Sequence, residues 1–216
     1  MARPSQIRAA LFDFDGTLCD TESKNMELAR SILLEMGVPV TDEDIQELAG
    51  EDDAVVVPRY FEKYGAPYIY DDYEAVRNGC FRTYAEADLA LEPGARELME
   101  ALRARGVKVG LVSTTPARGP LVALDRLGIV HLFDALVFGD MVERHKPEPD
   151  PYLFALRVLG VDSSETIVFE DSAVGIAAAR AAGCHAIGYA GCSVVQELSA
   201  ADEVITTYLG LDSALL

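Results

Sequence analysis

The chain has 216 residues, 50% hydrophobic and 25% charged, which suits one soluble globular domain of ordinary size carrying an insertion. Its 36 acidic residues against 18 basic give a formal charge of -18, a field that repels nucleic acid and anionic membranes and excludes both as expected partners. No run approaches the ~18 apolar residues of a membrane span, the apolar run before Asp13 is too short for a signal peptide, and Cys19, Cys80, Cys184 and Cys192 form no Cys-x-x-Cys pair, so buried thiols in a reducing cytoplasm are expected.

Ile7 to Phe12 is an apolar run that reads as a strand, and Asp13 and Asp15 follow it before Gly16 and Thr17 turn the chain away. Side chains at i and i+2 of a strand point the same way, so the two aspartates start on one side unless Gly16 re-aims the second. Two like charges that close need a cation or a shared proton. The pair therefore suggests a hard divalent metal or one raised pKa suited to acid/base work, with an Asx-type turn as the bland alternative.

From Glu22 to Met36 the apolar positions Met26, Ala29, Ile32, Leu33 and Met36 keep helical spacing, with a cap at Asp20 or Thr21 and a stop at Gly37 and Pro39. A short helix is predicted from Asp42 to Ala49, capped by Thr41 and acidic in its first turn. Pro58 is placed at the start of a helix carrying Tyr60, Phe61 and Tyr64. Tyr73, Val76, Cys80 and Tyr84 continue a helical stripe through the segment Tyr70 to Ala87. The stretch lacks convincing strands and reads as a helical domain, residues 20–88, inserted after the first strand.

After Glu92-Pro93-Gly94 the pattern changes to alternation. Helices are predicted at Ala95–Arg105, Arg118–Leu127, Pro151–Leu159 and Ala173–Ala182. Strands are predicted at Val107–Ser113, Ala135–Phe138, Thr166–Asp171 and His185–Tyr189, with an edge strand at Glu203–Thr206. Such alternation argues for an α/β fold, a Rossmann-like parallel sheet formed by residues 1–19 and 89–216. Ligands of such sheets sit at the C-terminal ends of the strands. Polar residues fall there: Asp13, Ser113, Lys146 in a long loop, and Glu170 with Asp171. Each alone has a bland reading, as a turn, a solvated lysine or a helix cap, and their gathering at one mouth favours a site.

These motifs resemble the haloacid-dehalogenase-like hydrolases, in particular the phosphatase and phosphomutase branch with a helical cap. DFDGT at Asp13 to Thr17 resembles the nucleophile motif, VSTT at Val112 to Thr115 the second, HKPEPDPY at His145 to Tyr152 the third, and VFEDSAVGIAAARAAG at Val168 to Gly183 the fourth. The resemblance implies Asp13 as nucleophile, Asp15 as acid/base and Lys146 as the functional base. It implies Mg²⁺ held by Asp13, the Asp15 carbonyl and Asp171, with Glu170 beside these ligands or occasionally among them. The Ser113 hydroxyl and the Thr114 amide would bind a phosphoryl oxygen. The helical domain would close as a lid, with hinges near Cys19-Asp20 and Leu89–Pro93.

The expected activity is Mg²⁺-dependent hydrolysis of a small phosphorylated metabolite, a sugar or polyol phosphate, through an aspartyl-phosphate, by a cytoplasmic monomer. The alternatives are a phosphomutase of the β-phosphoglucomutase kind and a catalytically idle phospho-ligand binding protein; an intact Asp15 weighs against the latter. A dehalogenase is disfavoured by Asp15 and the fourth-motif acids. The mutase pattern is broken in the cap: Asn25 stands for its histidine, and Asp53, three residues after Gly50, stands for its arginine. Arg77 falls near its lysine and, with Asn25, is a candidate to touch substrate. Residues 20–88 hold 17 acids against 6 Lys or Arg, with seven of the acids from Asp42 to Asp53, a poor seat for a second phosphate.

Overall fold

The computed structural model describes residues 2–48, 53–78, 81–194 and 196–211. The chain folds as two compact units, residues 1–20 with 89–216, and residues 21–88.

The first unit is built on a six-stranded parallel sheet. Its strands are β1 (Ala9–Phe12), β2 (Lys108–Val112), β3 (Ala135–Val137), β4 (Thr166–Glu170), β5 (His185–Tyr189) and β6 (Glu203–Ile205), in the spatial order β3-β2-β1-β4-β5-β6. Strands β1, β4 and β5 are buried at every residue, as strands covered on both faces must be. Register pairs Phe12 with Leu111 on one side and Phe169 on the other. One step further along β1, Asp13 therefore lies between the C-terminal ends of β2 and β4, and its N–H donates to the Phe169 carbonyl at 3.0 Å. This single register positions the whole site.

The strands end slightly sooner than the apolar runs suggested: β1 starts at Ala9, not Ile7, and β2 and β4 stop at Val112 and Glu170, before Ser113 and Asp171. Two helices of this unit pack against the sheet through one buried cluster, which includes Leu11, Val112, Val137, Val168 and Ala186 with Tyr152, Ala155, Leu159, Ile176 and Ala179. They lie at Asp150–Leu159 and Ala173–Ala181, and further helices at Ala95–Ala104 and Arg118–Arg126 complete the unit.

The second unit is helical throughout its described residues: α1 (Thr21–Glu35), α2 (Asp42–Leu48), α3 (Asp53–Tyr64), α4 (Tyr70–Arg77) and α5 (Phe81–Glu86). In chain order the four helices of the sheet unit are then α6 (Ala95–Ala104), α7 (Arg118–Arg126), α8 (Asp150–Leu159) and α9 (Ala173–Ala181). The helical unit has its own core, in which Ala29, Ile32 and Leu33 of α1 meet Val56, Val57, Tyr60, Phe61 and Tyr73. Thr41 caps α2 as expected: its Oγ1 accepts from the Asp44 N–H at 3.2 Å, while Asp44 Oδ2 accepts from the Thr41 N–H at 2.8 Å.

Two expectations fail in this unit. Pro58 does not open α3 but lies inside it, five residues past Asp53. Interior proline costs about 3 kcal/mol, and full burial of Val56 and Val57, each worth roughly 1.5–3 kcal/mol, offsets it. The stripe from Tyr70 to Ala87 is not continuous. Asn78, at φ +54°, closes α4 by donating its N–H to the Glu74 carbonyl at 2.7 Å, and α5 starts afresh at Phe81. Within α4 Tyr73 is buried and Val76 is exposed, so Val76 is off the core face before the break, and Tyr84 is buried from the separate helix α5. Cys80 and Gly50 lie outside the described residues.

Candidate active site

Asp13, at the mouth of the sheet, is 6% exposed, and its Oδ1 accepts from Lys146 Nζ at 2.6 Å. Lys146 reaches in from the loop before α8, also donates to the Val112 carbonyl at 3.0 Å, and forms a close ion pair with Glu170. Neither Lys146 nor Glu170 meets solvent through more than 3% of its side chain. Burial opposes the Lys146 charge, but the Asp13 and Glu170 carboxylates outweigh it and raise its pKa, so the group is an ammonium.

Glu170 is held from all sides. Its Oε1 also accepts from the Tyr152 hydroxyl at 2.6 Å, and its Oε2 accepts from the Ser172 hydroxyl at 3.0 Å and the Ser172 N–H at 3.4 Å. Capping of α9 falls to Ser172 instead, whose Oγ accepts from the Gly175 N–H at 3.1 Å. The bland reading of Glu170 as a helix cap is thereby excluded.

Asp171 lies beside Asp13 and Glu170, and its Oδ1 accepts from Thr17 Oγ1 at 3.4 Å. Gly16, at φ +77°, passes so near that a Cβ there would stand 2.1 Å from Asp171 Oδ2. Only glycine fits that turn. Oxygens of Asp13, Glu170 and Asp171 lie within 4.8 Å of one another. Burial, then the Glu170 charge, pushes the Asp171 carboxyl up to about 7. Burial also raises the Asp13 carboxyl well above its usual range; Lys146 opposes this, while Glu170, Asp171 and Asp15 add to it.

One ammonium thus faces four carboxyl groups among the described residues. Such an excess of crowded hard oxygens is what a divalent cation relieves. The donor set fits Mg²⁺: Asp13 and Asp171 can turn an oxygen to it. Both Glu170 oxygens are already engaged by donors, which suits Glu170 to holding Lys146.

Asp15 stands across the mouth. Its Oδ2 accepts from Thr115 Oγ1 at 3.0 Å and lies 3.5 Å from Ser113 Oγ. Thr114 is exposed on the same loop. The structure therefore brings Asp13, Asp15, Ser113, Lys146, Glu170 and Asp171 to one end of the sheet. Asn25 and Arg77 come together within the helical unit. Arg77 Nη1 donates to Asn25 Oδ1 at 3.1 Å, Thr83 Oγ1 donates to the same oxygen at 3.0 Å, and Arg77 Nε donates to Asp53 at 2.6 Å.

Sequence reasoning missed Thr115 and Tyr152 as site residues. Both lay inside the motifs, VSTT and HKPEPDPY, but a neutral hydroxyl gives no charge pattern, and its role appears only once a carboxylate is beside it.

The profile described as haloacid dehalogenase-like hydrolase matches residues 10–189. The chain is 35% identical over 185 residues to a phosphorylated carbohydrates phosphatase of Thermotoga maritima, covering 84% of each. It is 32% identical over 204 residues to the validoxylamine A 7'-phosphate phosphatase of Streptomyces hygroscopicus subsp. limoneus, covering 92% of each. Among solved structures it resembles a Thermotoga maritima protein provisionally called a β-phosphoglucomutase, with a TM-score of 0.86 and 30% identity over 97% of this chain and 100% of that one.

Proposed function

Because the chain belongs to the haloacid dehalogenase-like hydrolase family, we propose that it is a Mg²⁺-dependent phosphatase, which releases phosphate from a small phosphorylated metabolite through an aspartyl-phosphate on Asp13. The observation that carries this reading is the buried Asp13 carboxylate, held at 2.6 Å by the Lys146 ammonium, with a second aspartate two residues on. The names of the two phosphatase relatives favour a sugar or polyol phosphate as the substrate class.

The chemistry assigns each residue a task. A phosphate monoester dianion repels an anionic nucleophile, so charge must be neutralised and attack aligned. Asp13, the Asp15 carbonyl and Asp171 would hold Mg²⁺, which when bound would supply cationic charge for the phosphoryl oxygens. Lys146 orients the Asp13 carboxylate and adds its own charge, while Glu170 keeps Lys146 in place. An Asp13 oxygen forms a bond to phosphorus as the ester P–O bond breaks, and protonated Asp15 gives its proton to the leaving oxygen. Asp15 then takes a proton from water, whose oxygen attacks phosphorus and breaks the bond to Asp13. Ser113 and Thr114 contribute an O–H and an N–H to a phosphoryl oxygen. Substrate choice is assigned to the helical unit, where Asn25 and Arg77 are the candidates.

A second reading, phosphomutase, draws on the solved Thermotoga structure. The Arg77–Asp53 pair weighs against it, because the buried arginine of the helical unit already has a carboxylate as partner. The experiment that decides is phosphate release from a panel of sugar, polyol and carboxylic acid monophosphates, with Mg²⁺ and with EDTA. Release with Mg²⁺ and none with EDTA is expected. Release at full rate from metal-free protein, or none from any phosphate ester, would overturn the proposal.

A further inference from the structure

We propose that Thr115 is the positioning residue of Asp15, holding that carboxylate so that the single proton of Ser113 is left for a phosphoryl oxygen. The inference rests on the phosphatase reading of the site and adds a residue to it. Thr115 Oγ1 and Ser113 Oγ both face Asp15 Oδ2, at 3.0 Å and 3.5 Å. A serine hydroxyl has one proton to give. If Ser113 spends it on Asp15, it has none for phosphate. The shorter Thr115 bond removes that conflict.

The loop is built to hold Thr115 there. Its N–H donates to Ser113 Oγ at 3.1 Å, which occupies an acceptor site of that hydroxyl and leaves the Ser113 proton able to turn. The Ser113 N–H donates to the Val137 carbonyl at 3.0 Å, and the Gly139 N–H donates to the Thr115 carbonyl at 3.1 Å, so both ends of the loop are tied to the segment that ends β3. The approach is close enough that a Cβ on Gly139 would stand 2.0 Å from the Thr114 carbonyl oxygen. Pro116 follows, and a residue before proline is confined to extended backbone. Thr115 is thus fixed at backbone level, and only its side chain is left to choose a partner.

The test separates positioning from bulk. Thr115→Val keeps the shape and removes the hydroxyl; Thr115→Ser keeps the hydroxyl. The first turnover is followed by rapid quench on glycerol 1-phosphate, whose alkoxide needs a proton, and on p-nitrophenyl phosphate, whose phenolate does not. Thr115→Val should slow the alkyl ester by about tenfold or more, in line with the cost of a misplaced acid. It should leave the first turnover of the aryl ester within about threefold of wild type, and Thr115→Ser should recover both rates. Should Thr115→Val fail to fold, Thr115→Ala makes the same comparison. Equal losses on the two esters, or none, would overturn this inference alone. Where wild type turns over another alkyl monophosphate of the panel faster than glycerol 1-phosphate, that ester takes its place, and a wild type that hydrolyses no ester of the panel would overturn the phosphatase reading, and this inference with it.

Discussion

Gly175 passes so close to Glu170 that a Cβ on it would stand 1.9 Å from Oε1 and 2.0 Å from the carboxyl carbon. Glu170 cannot simply swing aside, because Lys146, Tyr152 and Ser172 all hold its carboxylate. Gly175→Ala should therefore displace Glu170 and loosen Lys146. The expected outcome is a loss of at least roughly tenfold in kcat/KM and of about 1–3 kcal/mol in stability, the usual cost of overpacking a buried site. Steady-state kinetics and urea unfolding check it, and a fully active, fully stable variant would mean that the glycine is incidental.

Asp13→Asn keeps shape and removes the attacking charge. Turnover should fall to background while the urea midpoint stays at or above that of wild type, since one of four crowded carboxyl groups is gone. Asp15→Asn should lose roughly 10²–10⁴-fold on alkyl esters, the usual contribution of acid/base catalysis. Residual turnover in Asp13→Asn comparable to wild type would rule out the aspartyl-phosphate.

Asp44 predicts how acid acts on the helical unit. Burial works against its charge, but Lys63 Nζ at 2.7 Å, the Thr41 N–H at 2.8 Å, Tyr64 Oη at 2.6 Å and the Thr41 hydroxyl at 2.9 Å outweigh it. The carboxyl is held below its usual range. A depressed pKa stabilises the fold above the unfolded value of about 4, and that contribution fades as pH falls through the folded value. Asp44→Asn should cost about 2–3 kcal/mol at pH 7, typical of several bonds to one buried charge. It should also flatten the decline of stability below about pH 4. Urea titrations at pH 7 and pH 3 measure both, and an unchanged acid slope would remove Asp44 from the account.

Legibility of the sequence differed by kind of residue. Charged groups at strand ends were readable, since Asp13, Lys146, Glu170 and Asp171 are costly to gather anywhere except a site. The parallel sheet was readable from alternation, with ends trimmed by a residue or two. What escaped depended on packing or on tertiary neighbours. Pro58 looked like a helix start because its local cost could be judged, whereas the burial of Val56 and Val57 could not. Asn78 broke a stripe that spacing alone would extend. Thr115 and Tyr152 carry no charge, so nothing in the motif distinguished their hydroxyls from filler until Asp15 and Glu170 were seen against them.

The phosphomutase reading makes an opposite demand on Arg77 and can be met directly. With β-glucose 1-phosphate and its bisphosphate primer, the protein should release free phosphate faster than it forms glucose 6-phosphate. Arg77 has Asp53 at 2.6 Å, and a guanidinium so engaged is a weak partner for a second phosphate. Faster formation of glucose 6-phosphate would promote the mutase.

The register of β1 also dictates an order of events during synthesis. Ala9 pairs with Lys108 on one side and Thr166 on the other, so the earliest strand to leave the ribosome waits longest in chain length for its second neighbour. At ~5–20 residues per second, its apolar face waits roughly ten to thirty seconds for β4. The helical unit closes its core among residues 26–73 and need not wait. A nascent chain that has released β2 but not β4 holds a finished helical unit and an Ala-Ala-Leu-Phe strand paired along one edge only. That strand is the stretch a trigger-type chaperone would have to shield, and truncation anywhere before β4 would leave it open to pairing with other chains.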